Sequence, residues 1–149
     1  MSWVDPKNYA PWLVVAFGEL GQQELTGPKH NPRILEYHAA TDLKATSEQI
    51  PWCGGLIALC LKLCGIEPPE GAATARSWLN LKIALTEPKV GAITILKRGS
   101  NPMEGHVGLY LANDDKNIVL LSGNVGNKVA ISKFNINDLL GYRWPSTIT

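Results

Sequence analysis

Pro51-Trp52-Cys53-Gly54-Gly55-Leu56-Ile57-Ala58-Leu59-Cys60-Leu61-Lys62-Leu63-Cys64-Gly65 is the stretch that decides the fold. Cys53, Leu56, Ile57, Cys60, Leu61 and Cys64 recur at helical intervals, which predicts one helix with a buried stripe. Gly65 stops it, and Pro68-Pro69 forbids its continuation. Cys53 then stands at the helix N-terminus, where free N–H groups and the positive end of the dipole favour a thiolate over a thiol. Gly54 and Gly55 are poor helix formers that leave room beside the sulfur for a substrate backbone. Cys60 and Cys64 lie deeper along the helix and read as packing residues.

Upstream of this helix, residues 11–20 predict a first helix, with Pro11 suited to its first turn. Gly27-Pro28 breaks the chain, and Asn31-Pro32 caps and opens a helix over residues 33–40. Residues 41–49 form a polar connection. Downstream, residues 73–81 predict a shorter helix. The pattern then changes to short β-rich runs at residues 92–98, 106–112, 118–122 and 129–132, with a last strand at 141–144. Helices first and an antiparallel sheet second is an α+β arrangement. With 149 residues, the chain is expected to form a single domain (1–149) with its core over residues 11–145.

Apolar residues make up 45% and charged residues 18%, and the net charge is +1. That balance excludes a disordered chain and gives no broad attraction to nucleic acid or anionic lipid. No stretch approaches the 18 or so uninterrupted apolar residues of a membrane span. The N-terminus shows no signal peptide, and three cysteines argue against a disulfide framework, so synthesis in a reducing cytoplasm is expected. The glycines fit no nucleotide-binding fingerprint, and the five tryptophans are scattered as core and cleft residues.

Gly105-His106-Val107-Gly108 supplies a base to go with the cysteine. In a strand, His106, Gly108, Tyr110 and Ala112 share one face, and Val107, Leu109 and Leu111 share the other. If the cysteine helix buries its stripe against the face that carries His106, sulfur and imidazole meet. Gly105 and Gly108 keep the surroundings clear. Pairing Ala112 with Ile118 across the turn sets His106 opposite Asn124 and Ser122 opposite Gly108. Asn124 is then the residue that orients the imidazole, and Ser122 takes its place if the register slips by two. His30 and His38 read as solvated. A zinc site from Cys53, Cys60, Cys64 and His106 lacks paired ligand spacing, and no metal or organic cofactor is expected.

Pro51-Trp52-Cys53, Ala75-Arg76-Ser77-Trp78, Gly105-His106-Val107-Gly108, Gly123-Asn124 and Gly141-Tyr142-Arg143-Trp144-Pro145 resemble a small family within the NlpC/P60 and CHAP group of cysteine peptidases and amidases. His30-Asn31-Pro32-Arg33-Ile34 with Glu36-Tyr37 fits as well, so the matches run in order from about residue 11 to Pro145. The resemblance implies a papain-like core and cleavage of amide bonds in bacterial peptidoglycan, as in phage lysins and toxins delivered between bacteria. It carries the nucleophile to Cys53 and the base to His106. Many CHAP domains hold a glutamate near Ser122 and an asparagine near Asn124; the glutamate is absent here, and Asn124 inherits the orienting role. The glutamine that often precedes the cysteine is replaced by Trp52, which leaves Gln49 as the candidate side-chain oxyanion donor.

The expected substrate contacts are Trp52, Gly54 and Gly105, with the Cys53 backbone N–H as an oxyanion donor. The expected partners are peptidoglycan and an inhibitor or immunity protein, for a monomer acting at the wall or periplasm after release or secretion. The alternatives are a catalytically inactive wall-peptide-binding module and a zinc-stabilised structural domain.

Overall fold

The computed structural model describes residues 9–25, 31–41, 52–100 and 104–145. Gly27-Pro28, His30, Pro51, Gln49 and the polar connection after Thr41 lie outside the described residues. Three helices come first: α1 (Pro11–Gly18), α2 (Pro32–Ala39) and α3 (Cys53–Leu63). Pro11 and Pro32 each occupy the first turn, and the Asn31 side chain accepts from the Arg33 N–H as the cap of α2. α1 ends two residues earlier than the expected boundary, because the Glu19 N–H already turns back to the Ala16 and Phe17 carbonyls. The run expected as a helix over 73–81 is a 3-10 helix, Ala75–Asn80.

Six strands follow: β1 (Ile83–Leu85), β2 (Ile93–Lys97), β3 (Gly105–Asn113), β4 (Asn117–Val125), β5 (Lys128–Asn135) and β6 (Leu139–Trp144). They form one sheet in the order β1-β6-β2-β3-β4-β5, with every pair antiparallel. The α+β architecture is as expected from the sequence. β1 was not foreseen: it is a three-residue edge strand with Ile83 42% exposed, so it shows no alternation of buried and exposed residues.

α3 is the centre of the molecule. Cys53, Gly54, Gly55, Leu56, Ile57, Ala58, Cys60 and Leu61 are all buried, with α1 and α2 on one side and the sheet on the other. The sheet surface facing α3 carries Ile93, Ile95, Val107, Leu109, Leu111 and Leu121. The opposite surface carries Leu96, Tyr110, Ile118, Leu120 and Tyr142 as a second apolar layer. Side chains alternate along each strand, so both layers follow directly from β-rich runs apolar at odd and even positions alike.

Two polar ties lock the helices in place. The buried Glu19 carboxylate at the end of α1 accepts from Arg33 Nε at 2.7 Å and from the Tyr37 hydroxyl at 2.7 Å. The Arg33 hydrogen bond holds that carboxyl below its usual range, against the opposing effect of burial. Trp12 Nε1 donates to the Gly91 carbonyl at 2.8 Å and ties α1 to the entry of β2. His38, expected to be solvated, is buried instead: it lies on the same side of α2 as Ile34 and Tyr37, which packs against α3.

Candidate active site

Cys53 is the first residue of α3 and is 6% exposed. The first helical turn has no i−4 carbonyls to pair with its N–H groups, and the Cys53 and Gly54 N–H groups lower the thiol pKa together with the Val107 N–H. Burial outweighs them and pushes the thiol up; the positive charge of Arg98 acts in the lowering sense. Cys60 is buried in the middle of the helix, and its thiol is pushed up to about 12, chiefly by burial. All three cysteines are free thiols.

His106 sits at the start of β3 and is 2% exposed. Its Cα partner on β2 is Leu96, so the imidazole points to the sheet surface away from α3, where Phe134 stacks on it at 4.8 Å. The condition set by the sequence, that the helix-facing surface carry His106, is therefore not met. That surface takes Val107, Leu109 and Leu111, the longer apolar run, because covering it with α3 removes more apolar area from water. Sulfur and imidazole flank the His106–Val107 peptide at the start of β3, and no hydrogen bond joins them among the described residues.

The ring has two polar partners. Nε2 lies 2.9 Å from Ser122 Oγ, and Nδ1 lies 3.2 Å from an Arg98 guanidinium nitrogen. A guanidinium only donates, so Nδ1 accepts and the neutral imidazole carries its proton on Nε2, donating it to Ser122. The orienting partner is thus Ser122, and Asn124 makes no hydrogen bond to the ring among the described residues. The physical reason is local. Gly108 stands opposite Ser122, and a Cβ there would meet the Ser122 Cβ at 2.8 Å. With no side chain at 108, the imidazole reaches diagonally across to Ser122. β4 then bulges between Ser122 and Val125, which leaves Asn124 in a left-handed conformation with φ of 60°.

The three expected substrate contacts are filled by the protein itself. A Cβ on Gly54 would lie 2.0 Å from the Ala72 carbonyl oxygen, and one on Gly55 would lie 2.7 Å from that of Tyr37. These glycines admit neighbouring backbone, and no room is left there for a substrate. A Cβ on Gly105 would meet the Leu96 carbonyl oxygen at 2.8 Å. The Trp52 ring is fully buried, packs over Gly123, and donates from Nε1 to the Glu24 carboxylate at 2.9 Å. Gln49 lies outside the described residues.

Sequence reasoning missed Arg98. The β2–β3 register aligns Lys97 with Gly105 and Leu96 with His106, so a cation just past β2 necessarily overhangs the start of β3. Hairpin pairing was the available signal. Among the described residues no group of three His, Cys, Asp or Glu side chains is arranged to hold a metal ion.

No family model matches the sequence, and no curated protein matches it. A solved structure does match: a lipoprotein-like protein of the NLP/P60 family from Staphylococcus aureus, with a TM-score of 0.51 and 16% identity over 95% of this chain. The fold is NLP/P60-like. The chain spans 42% of that protein's length.

Burial is the first cause that lowers the His106 pKa, to about 4, and the charge of Arg98 is the second. An unfolded histidine titrates near 6.5, so between these two values the unfolded chain binds more protons than the folded one. Stability contributed by the neutral ring is complete above about pH 6.5 and is lost as pH falls towards 4. The expected loss is about 3 kcal/mol, seen as a falling denaturant midpoint over that window. An imidazole that NMR finds charged at pH 6 in the folded protein would contradict this.

Proposed function

We propose that this protein is a cysteine amidase or endopeptidase that cleaves an amide bond of the peptidoglycan peptide. The single observation that carries the reading is the pair of contacts at the His106 ring, Nε2 to Ser122 Oγ at 2.9 Å and Nδ1 to an Arg98 nitrogen at 3.2 Å. Ser122 holds the Nε2–H, which leaves the Nδ1 lone pair on the side of Arg98, the cation whose charge also reaches the Cys53 sulfur. The NLP/P60-like fold supports the same reading, as does the sulfur's place in the first turn of α3.

The proposed chemistry starts from a His106 whose Nδ1 has been released. The reaction requires Arg98 to leave Nδ1 and the ring to come within reach of the sulfur; Nδ1 then takes the Cys53 proton, and the thiolate attacks the carbonyl carbon of the amide. The N–H groups of the first turn of α3 stabilise the tetrahedral oxyanion. The imidazolium returns its proton to the leaving amine, and a thioester remains on Cys53. Water deprotonated by Nδ1 attacks the thioester, releasing a carboxylic acid and restoring the thiol. Ser122 keeps Nε2–H throughout. No metal or organic cofactor enters these steps.

On this reading the protein acts at the bacterial wall after release or secretion, as a monomer and as a phage endolysin or a secreted antibacterial effector that an inhibitor protein could hold in check. Incubating the purified protein with isolated peptidoglycan should release fragments with one new amine and one new carboxylate per cut, identified by mass spectrometry of the muropeptides. Walls that stay intact over a range of wall types would overturn the hydrolase reading. A non-hydrolysing wall-peptide-binding module is the second reading, and the engagement of Nδ1 by Arg98 favours it. Alkylation of Cys53 at mildly acid pH separates them, since only an activated thiolate reacts there.

A further inference from the structure

Phe134 belongs to β5, the outer strand of the sheet, and His106 lies at the start of β3 with β4 between them. The two rings nevertheless stack, with centroids 4.8 Å apart and planes inclined by 26°. β4 departs from regular pairing on both sides, against β3 between Tyr110 and Ala112 and against β5 between Ser122 and Val125. A bulge bends its strand and increases the local twist, which carries the end of β5 back towards the start of β3. The neighbours of the imidazole on that surface are small, Gly108 and Ser122, and Phe134 fills the space over the ring. Phe134 itself is half-buried, between the exposed Lys133 and Asn135.

Resting on the hydrolase reading, we infer that Phe134 is a positioning residue for the base: from the edge strand its ring covers one face of the imidazole, keeps water off it and fixes its plane. Ser122 and Arg98 meet the two ring nitrogens at the edge, and those contacts alone leave the ring free to tilt about the line between them. A flat face stacked on the imidazole removes that freedom. Arg98 is the charged group that acts on the ring; β4 presents the neutral Ser122 hydroxyl. Tyr110 and Tyr142 on the same surface stay neutral, because burial pushes their hydroxyls up. With Arg98 unchanged, loss of the Phe134 ring therefore acts by letting water in. A hydrated imidazole takes up a proton more readily, and a protonated one cannot accept the thiol proton. Burial is the larger of the two causes that bring the His106 pKa down to about 4, so the cover keeps the base neutral in acid.

The test compares Phe134→Ala and Phe134→Tyr by NMR titration of the His106 ring in the folded protein, a readout that needs no turnover. The wild-type ring should titrate near 4. Phe134→Ala should move the midpoint up towards the value of about 6.5 of a hydrated histidine, and Phe134→Tyr, which keeps the ring face, should match wild type. Cleavage of peptidoglycan should follow the titration. Between about pH 8 and about pH 5, Phe134→Ala should lose roughly tenfold in rate for a midpoint near 6, and wild type less than about twofold. Where Phe134→Ala does not fold, Phe134→Leu, which keeps apolar bulk without a flat face, is read in the same way. A midpoint that stays near the wild-type value, even in a less stable variant, makes Phe134 a packing residue and overturns the inference. A raised midpoint with an unmoved acid limb of the rate overturns it as well. A raised midpoint in a protein that cleaves no wall supports the cover over His106 and refutes only the hydrolase reading.

Discussion

Cys53→Ala is expected to lower amide cleavage by on the order of a thousandfold or more, with no comparable loss of fold. The size follows from the mechanism: without the sulfur there is no covalent route, and the first turn of α3 is left to stabilise an oxyanion that no side chain generates. The structural cost is small. Cys53 is buried, and replacing it removes one sulfur atom from the core, which costs about 1 kcal/mol, or a few degrees in Tm for a chain of this size. Cys60→Ala is the matched control. It removes the same atom from the same helix, from a thiol pushed up to about 12, and should cost similar stability while sparing activity. Rates and melting curves on both variants decide the matter. Equal activity in Cys53→Ala and the wild type removes the thiol from the chemistry, and equal loss in both variants makes the effect structural.

The parts legible in the sequence were those set by local periodicity. The three- and four-residue spacing from Cys53 to Cys64 specified α3, and Asn31-Pro32 specified the start of α2. The register of the central hairpin was legible near the site and not at its turn. Ala112 pairs with Val119, one residue away from the expected Ile118, and the extra Leu111 then restores the expected alignment at Leu109–Leu121. A bulge of this kind leaves no mark in composition. Which sheet surface carries His106 stayed a condition in the sequence because both surfaces of β3 are apolar enough to be buried, and only the packing of α3 distinguishes them. The choice of Ser122 over Asn124 depended on the missing side chain at Gly108 and on a second bulge, both of them three-dimensional facts.

Gly54→Ala should destabilise the protein by about 3 kcal/mol, the upper end of what overpacking a core usually costs. Helix propensity alone gives the opposite sign, since alanine in a helix gains about 1 kcal/mol over glycine. Sterics win here because the new Cβ would lie 2.0 Å from the Ala72 carbonyl oxygen, far inside contact distance. That carbonyl cannot simply retreat. It accepts from the buried Trp78 Nε1 at 2.9 Å, and moving it leaves an indole N–H without a partner in the core. The strain also falls next to Cys53, so the same variant should lose activity through displacement of the first turn of α3. Gly18→Ala provides the contrast: it ends α1 with nothing within 4 Å of the new Cβ, and it should be neutral or slightly stabilising. Denaturant midpoints for the two variants test the argument directly. A Gly54→Ala protein as stable as Gly18→Ala would mean that the Ala72 strand of chain does not press on the helix, and that the diglycine after Cys53 is open to a substrate after all.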